Sequence, residues 1–250
     1  MGKELESVFR RIEPTGRVLD VGCLGFGKLA LAKSLGLTEL RHFGVDYAEA
    51  SEVPAGFTFK HCDLNAGPIP FDDDMFDLVV ATHVMEHVKD PLAFFGECVR
   101  VCRPGGFLYC ETPSERSLWL PGMPFEHEKF LSTSFFDDPT HVFRPWTPQS
   151  LYRLTRYYGC EPLEVGYGIS WKQRLAFPVT LLYSLIARDG VVLQRACWET
   201  FGWASFVVLR KPPELKGRPS FRYYMTPQQQ KWIGFRRLFR KLVPWPGRSA

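Results

Sequence analysis

Short apolar runs recur along the first half of the chain, and each one stops at a polar or acidic residue. Runs of this length between turn residues predict buried strands, which lie at 17–21, 42–45, 57–61, 76–81 and 107–111. The segments between them carry apolar residues at helical spacing and predict helices at 3–12, 28–35 and 91–102. Only ten residues separate Asp46 from the third strand, and Pro54 and Gly56 among them favour a loop there.

The second half continues the alternation of helices and strands. A helix is predicted at 147–158, with Thr147 as its N-cap and Pro148 at its first position. Strands are predicted at 161–170 and 200–209, separated by a helical excursion at 171–199. The apolar face of the excursion could cover the acceptor pocket, but we expect it to pack on the core. This alternation indicates βαβ units and a mostly parallel sheet. Because ligands of such sheets bind beyond the carboxyl ends of the strands, the residues after the strands form the candidate site.

Composition indicates a globular protein but does not indicate its function. Of the 250 residues, 45% are apolar and 23% are charged, as in ordinary globular proteins. The seven cysteines are scattered without a CxxC pair, which favours reduced, mostly buried thiols over a disulfide framework or a zinc site. The first residues lack an apolar signal core, and no apolar run reaches the roughly 20 residues that span a bilayer. A cytoplasmic protein is therefore expected.

Charge is distributed unevenly along the chain. Residues 211–250 contain ten basic residues and one acidic residue, a charge of +9, so the total of +4 leaves −5 on residues 1–210. Within this tail, residues 231–243 place apolar side chains on one helical face and basic side chains on the other. That pattern suits either peripheral contact with the anionic inner face of a membrane or docking on the protein's own domain. A nucleic-acid groove in the acidic body is not predicted.

The first strand leads into a glycine-rich turn, VLDVGCLGFGKLA, at residues 18–30. Such a turn suits a dinucleotide or S-adenosylmethionine, because the acid at the end of the second strand, Asp46, can accept hydrogen bonds from the ribose of either. Asp46 could also simply end its strand. Leu24 stands where a GxGxxG fingerprint has its middle glycine, which disfavours a pyrophosphate. Asp63, after the third strand, adds an acid suited to the amino group of adenine.

Several separated segments carry a resemblance to a known family. VLDVGC, GVD, HCDLN, FDLVVATHVMEHVKDP and RVCRPGG occur in the same order as in the class I S-adenosylmethionine-dependent methyltransferases, particularly the type 11 group. The resemblance covers residues 18–113. It implies an α/β, Rossmann-like fold with a seven-stranded, mostly parallel sheet of strand order 3-2-1-4-5-7-6 and helices on both faces. It also implies S-adenosylmethionine as the cofactor.

The resemblance assigns cofactor contacts to residues at the strand ends. The residues implied are Asp20, Gly22, Cys23, Gly25 and His83 for the methionine end, Asp46 and Tyr47 for the ribose, and Asp63 and Leu64 for the adenine. One departure is Leu24: family members read DxGCGxG, whereas the later glycines here fall one residue late. A wider loop and a changed cofactor affinity are therefore expected. No metal site is predicted, because the resemblance already accounts for HVMEH (83–87), with Glu86 and His87 as capping and packing residues.

Residues 114–150 are predicted to form an insert that covers the substrate, because they are aromatic, interrupted by prolines and rich in His and Asp. If the acceptor atom is a hydroxyl oxygen, a base must take its proton, and histidine is best matched to neutral pH. His141 and His127 are the candidate bases, with Asp138 as an orienting or alternative group. Both histidines could instead have structural or surface roles.

The predicted organisation is a methyltransferase domain at 1–210, including the insert and the excursion, followed by the basic tail at 211–250. The predicted function is an S-adenosylmethionine-dependent methyltransferase acting at oxygen on a small-molecule, glycan or lipid-linked acceptor. Two alternatives stay open. One is a non-catalytic methyltransferase-like binding module, which the displaced glycines favour, and the other is an NAD-dependent oxidoreductase.

Overall fold

Strands and helices alternate in the computed structural model, which describes residues 3–122 and 134–215. The strands are β1 (Arg17–Val21), β2 (Arg41–Asp46), β3 (Phe57–His61), β4 (Phe76–Thr82), β5 (Cys102–Pro113), β6 (Glu161–Tyr167) and β7 (Ala204–Arg210). The helices are α1 (Lys3–Phe9), α2 (Gly27–Ser34), α3 (Pro91–Val101), α4 (Ser134–Asp137), α5 (Pro148–Tyr157), α6 (Trp171–Ala187) and α7 (Gly190–Phe201). A short 3-10 helix covers Glu115–Leu118.

The strands form one sheet in the order β3-β2-β1-β4-β5-β7-β6, which confirms the predicted order. The pairs of β1 with β2, β1 with β4, β2 with β3 and β4 with β5 are parallel, whereas β7 runs antiparallel to β5 and β6. Val21 lies level with Val45 and Ala81, and Asp46 lies level with His61. The carboxyl ends of β1 to β4 therefore meet at one edge, as the sequence predicts.

Apolar side chains cover both faces of the sheet, because successive residues of a strand point to opposite sides. On one face, Val18 of β1 packs in a cluster with residues of α1 and α2. On the other face, Leu19 and Val21 pack in a cluster with residues of α3 and α5. The predicted arrangement of helices on both faces is thus confirmed, and the central strands are buried between them.

The second half departs from the predicted bounds at two helix ends. The sixth strand ends at Tyr167, before the predicted Ser170, because the Ser170 hydroxyl accepts a hydrogen bond from Gln173 N (3.2 Å) and caps α6. The seventh begins at Ala204 because α7 continues to Phe201 and ends at Gly202, whose φ of 81° is left-handed. The excursion is therefore a pair of helices, α6 and α7. The predicted loop between Asp46 and β3 is confirmed.

The prediction that the excursion packs on the core is wrong for α6. Within the described part of the chain this helix buries only Ser184, and Leu175, Val179 and Ile186 are all more than 70% exposed. Among the helices at 3–122 and 134–215, none has the length and apolar character needed to cross a membrane. The predicted amphipathic helix at 231–243 lies outside the described residues.

Candidate active site

Asp20, one residue before the end of β1, is a buried acid at the edge where the strands end. Its side chain is 3% exposed, and no donor among the described residues reaches Oδ1. Burial raises the pKa of Asp20 to about 7, because the attraction of Lys28 does not offset the desolvation of the carboxylate and Asp46 adds repulsion. A buried carboxylate oxygen without a hydrogen-bond partner is unusual. A bound ligand with a positive charge or a hydrogen-bond donor would satisfy Asp20 Oδ1.

The glycine turn after β1 is held against β2 by its backbone. Both Gly22 N and Cys23 N donate to the Val45 carbonyl oxygen, at 2.9 and 3.2 Å. Both backbone N–H groups are therefore already hydrogen-bonded. These two residues could contact a ligand through their carbonyl oxygens or through van der Waals contact of the backbone. Gly22 has φ 75°, and a Cβ there would lie 2.6 Å from the Val84 side chain. Gly22 is therefore required for the turn to pack beside the end of β4.

The displaced glycines give the turn an additional hydrogen bond to Asp46. Leu24 N donates to Asp46 Oδ2 at 3.1 Å, and the chain then turns left-handed at Gly25 (φ 82°) and Phe26 (φ 49°) before α2. A Cβ at Gly25 would meet no atom within 4 Å, so this side of the turn is open. The residue that departs from the family pattern thus ties the turn to the candidate ribose-binding acid.

Asp46 and Tyr47 follow β2 at the same edge. Asp46 Oδ1 accepts a hydrogen bond from Ala48 N at 3.1 Å, so each oxygen is oriented by one amide and keeps a further lone pair. Tyr47 is exposed, with its ring 6.3 Å from that of His61. After β3, Asp63 Oδ1 accepts from Asn65 N at 2.8 Å. The cofactor-contact prediction for these residues stays a prediction, and their placement along one edge agrees with it.

His83 directly follows β4 and has a left-handed backbone, with φ 57°. Its Nδ1 lies 3.4 Å from Glu86 Oε1 and its Nε2 lies 3.3 Å from Glu111 Oε1, while the side chain is 42% exposed. Burial opposes charge on the ring, but the two carboxylates outweigh it and raise the pKa of His83 to about 9. At neutral pH His83 is therefore an imidazolium held between Glu86 and Glu111, and it does not serve as a base.

Comparison with known proteins agrees with this geometry. A family model described as a methyltransferase domain matches residues 19–110, which span β1 to β5. The chain is 26% identical over 200 residues to the ubiquinone biosynthesis O-methyltransferase of Cereibacter sphaeroides, with 69% of each chain covered. Residues 19–110 therefore match a methyltransferase domain, and the similarities together support a class I S-adenosylmethionine-dependent methyltransferase. These similarities support S-adenosylmethionine as the cofactor.

Solved structures show the same fold as this methyltransferase. One is a methyltransferase in complex with the Haloferax volcanii Trm112 methyltransferase activator, with a TM-score of 0.62 and 19% identity, covering 83% of this chain and 88% of that one. Another is an S-adenosylmethionine-dependent methyltransferase from Mesorhizobium loti, with a TM-score of 0.56 and 16% identity, covering 83% and 97%. At these identities the likeness concerns the fold alone.

The residues of the methyltransferase fit this cofactor. Asp20 has a buried carboxylate oxygen without a partner that would suit the positively charged methionine end, and Asp46 has two oriented oxygens that would suit the ribose hydroxyls. Among the described residues no hydrogen bond engages Leu64 N, which leaves that donor available for the adenine. The open side of the turn at Gly25 leaves room for close approach.

The predicted bases, His141 and His127, both belong to the insert at 114–150. His141 is 8% exposed; its Nδ1 donates to the Phe135 carbonyl oxygen (2.7 Å), and its Nε2 is 3.9 Å from Asp138 Oδ2. Asp138 Oδ1 accepts hydrogen bonds from both Thr140 Oγ1 and Thr140 N, and these hydrogen bonds lower the pKa of Asp138. Asp138 is therefore a weaker base than an ordinary aspartate. His127 lies outside the described residues. The base assignments remain predictions.

Two tryptophans of the site were not predicted from the sequence. Trp203, between α7 and β7, has its ring 5.1 Å from His83 and stacks on Trp198 at 4.2 Å. Its indole Nε1 donates to Ser134 Oγ at 2.6 Å, and Trp198 Nε1 donates to the Pro121 carbonyl oxygen at 2.8 Å. These contacts join the excursion to the insert. The aromatic signal was visible in the sequence, but its proximity to His83 arises from the sheet order.

Proposed function

We propose that this methyltransferase transfers a methyl group to a hydroxyl oxygen of a small-molecule acceptor that contains a planar ring. The proposal is carried by the aromatic wall of His83, Trp203 and Trp198 beside the cofactor edge. Trp198 and Trp203 are stacked, whereas the His83 ring is tilted by 49° to Trp203. Clustered aromatic rings favour an acceptor that contains a ring, through contact area and quadrupole. Relatives named ubiquinone biosynthesis O-methyltransferase add support for oxygen as the acceptor atom.

The protein's contribution to such a reaction is chiefly alignment. When bound, S-adenosylmethionine supplies an activated methyl group on a positively charged sulfur. Asp20 and Asp46 would hold the two ends of the cofactor from adjacent strands. Trp203, whose ring lies 5.1 Å from that of His83, would orient the acceptor ring. Fixing two reactants in line can account for several kcal/mol of a reaction barrier, about 7 or more in favourable cases.

The acceptor hydroxyl must also lose its proton. His83 carries a positive charge at neutral pH, so it stabilises a nearby oxyanion instead of removing the proton. His141 keeps a lone pair on Nε2 because its Nδ1–H is engaged by the Phe135 carbonyl. It is the described residue that best fits the predicted base, and this role remains a prediction.

The acceptor class can be tested by turnover with matched sets of phenols, catechols, aliphatic alcohols and amines, following S-adenosylhomocysteine and the methylated product by mass spectrometry. We expect O-methylated ring products. Trp203→Ala should raise the acceptor KM about tenfold or more, from the loss of one stacked ring, and leave the cofactor Kd unchanged. Trp119→Ala is the matched control, because Trp119 is 84% exposed.

Product on nitrogen alone would contradict the proposal. So would equal acceptor KM values for the Trp203 and Trp119 variants. Because Trp203 also donates a hydrogen bond to Ser134, Trp203→Phe serves as a second variant that keeps a ring in place. It should retain most of the acceptor binding that Trp203→Ala loses, and a cooperative thermal unfolding transition for each variant shows that the fold is intact.

A further inference from the structure

Glu86, His87 and His141 bring one carboxylate and two imidazoles together beside the acceptor side of the site. One ligand atom from each lies within 4.8 Å of the other two. Glu86 and His87 come from the turn after β4, whereas His141 comes from the insert. None of the three belongs to the set of residues that fits S-adenosylmethionine, so their proximity needs a separate explanation.

The hydrogen bonds of His141 fix which nitrogen carries its proton. Its Nδ1 lies 2.7 Å from the Phe135 carbonyl oxygen, which can only accept, so Nδ1 is the donor. The other nitrogen, Nε2, therefore keeps its lone pair in the neutral ring. Its nearest charged neighbour among the described residues is Asp138 Oδ2, at 3.9 Å. A neutral imidazole with Nδ1–H bound to a carbonyl and Nε2 bare is the form that ligates metal ions.

A chain of hydrogen bonds imposes the same form on His87. Thr140 Oγ1 donates its single hydrogen to Asp138 Oδ1 at 2.5 Å, so it can only accept from His87 Nδ1, at 2.9 Å. The Thr140 carbonyl oxygen, 3.3 Å from Nδ1, also requires a donor there. Within the described residues no hydrogen bond engages His87 Nε2. Both histidines thus present a bare Nε2, and their rings lie 4.9 Å apart.

Glu86 is buried, with 1% of its surface exposed, and its position is fixed from both sides. Oε2 accepts a hydrogen bond from Thr112 Oγ1 at 3.1 Å. The Glu86 carbonyl oxygen accepts from Val142 N (2.9 Å) and Phe143 N (3.3 Å), next to His141 in the chain. These two backbone hydrogen bonds hold the insert against the turn, so the juxtaposition of the three side chains is part of the fold.

We propose that Glu86, His87 and His141 bind a divalent transition-metal ion, with Zn²⁺ as the ion of best chemical fit. Two imidazoles and one carboxylate suit Zn²⁺ and its first-row neighbours, and three protein ligands leave at least one position open. Ligand atoms around a tetrahedral zinc ion lie about 3.4 Å apart, a spacing that follows from bonds of about 2 Å. In the three side chains one potential ligand atom of each lies within 4.8 Å of the others, so small side-chain rotations would bring Nε2 of both histidines and a Glu86 oxygen to this spacing.

Glu86 Oε1 lies 3.4 Å from His83 Nδ1, so an ion bound by Glu86 would lie near His83. With its Nε2 lone pair bound to the metal ion, His141 would be a ligand instead of the base. A hydroxyl oxygen bound to the ion would lose its proton to water more readily, because a divalent ion stabilises the oxyanion. The oxyanion's electron pair would then form the new C–O bond as the S–C bond breaks onto sulfur. This role rests on the proposed function, whereas metal binding itself does not.

Metal binding can be measured on the full-length protein after treatment with a chelator. We expect the protein to take up about one Zn²⁺ or Co²⁺ per chain, as measured by mass spectrometry of the metal and by visible absorption of bound Co²⁺. The double variant His87→Gln/His141→Gln should bind Co²⁺ about 100-fold more weakly or worse, because residues that bind the ion directly matter at least as much as the residues that support them. Zn²⁺ should raise the unfolding temperature of the wild type and not that of the double variant.

The control is His61→Gln, which removes a histidine on β3 outside the three-residue group and should leave the metal stoichiometry unchanged. Equal Co²⁺ affinity in the wild type and the double variant would overturn the proposal, as would the absence of Co²⁺ absorption from a folded wild-type protein. Turnover measured with and without the metal separates the two proposals. Tight metal binding with unchanged O-methylation retains the site and rejects the role in deprotonation.

Discussion

The cofactor side and the acceptor side of this methyltransferase are built in different ways. On the cofactor side, Asp20, Asp46 and Asp63 each lie within two residues of a strand end, and parallel pairing aligns those ends. On the acceptor side, the turn after β4, the insert and the junction of α7 with β7 meet through a few hydrogen bonds, such as Trp203 Nε1 to Ser134 Oγ. Short-range sequence order therefore specifies the first side, and long-range contacts specify the second.

This difference has a chemical consequence. The cofactor side holds one type of ligand with groups attached directly to the sheet, whereas the acceptor side depends on segments whose side chains can change while the sheet stays the same. A substitution at a strand end should therefore affect cofactor binding alone. A substitution in the insert should affect the acceptor or the stability and leave cofactor binding unchanged.

The largest effect is expected from Asp46→Ala. The variant removes the oriented oxygens proposed to accept from the ribose hydroxyls and frees Leu24 N and Ala48 N. The cofactor Kd, measured by calorimetry, should rise about 100-fold, the equivalent of roughly two hydrogen bonds to a charged group. The near-ultraviolet circular dichroism of the Trp198–Trp203 stack should not change, because it belongs to the acceptor side.

Glu49→Ala is the matched control for Asp46→Ala, since it removes an exposed acid from the same loop. Its cofactor Kd should equal that of the wild type. Asp46→Asn keeps one acceptor oxygen and should fall between the two. If Asp46→Ala binds S-adenosylmethionine as tightly as Glu49→Ala does, the assignment of the ribose to the end of β2 is wrong.

An intermediate effect is expected from pH, through Asp20. Because burial raises the pKa of Asp20 to about 7, the carboxyl is largely protonated below that pH, and a cationic ligand favours its ionised form. Cofactor binding should therefore release a proton, and affinity should rise by up to tenfold per pH unit below 7 and level off near 7. Calorimetry between pH 5.5 and 7.5 in buffers of different ionisation enthalpy measures both quantities.

The raised pKa of Asp20 has the opposite effect on the stability of the cofactor-free protein, which falls as pH rises. The native state retains the Asp20 proton up to pH of about 7, whereas the unfolded chain loses it near its ordinary pKa of 3.8. Stability from this group is therefore full below about pH 4 and declines as pH rises to 7. Asp20→Asn should remove both pH dependences and bind the cofactor weakly. A wild-type affinity that is flat between pH 5.5 and 7 would exclude a proton-linked role for Asp20.

The sequence predicted the strands and their ends because these follow from local pattern, whereas the strand order came from the resemblance to the methyltransferases. Apolar runs that stop at an acid give the strand ends, and the parallel sheet brings those ends together. The stacking of Trp203 near His83 could not be predicted in this way, because its cause is the antiparallel insertion of β7 between β5 and β6. His141 was identified as a candidate base, but its proximity to Glu86 and His87 depends on backbone hydrogen bonds between distant segments.

The smallest effect is expected from Thr147→Ala, at the start of α5. Thr147 Oγ1 accepts a hydrogen bond from Ser150 N at 3.0 Å, and Ser150 Oγ accepts one from Thr147 N, a reciprocal cap. Loss of the cap should cost about 1 kcal/mol of unfolding free energy, or roughly 2–4 °C in Tm at this chain length. Thr147→Ser keeps the hydroxyl and should match the wild type. The helix adjoins the insert, which belongs to the acceptor side, so the cofactor Kd should stay constant. A higher cofactor Kd would show that the two sides are coupled.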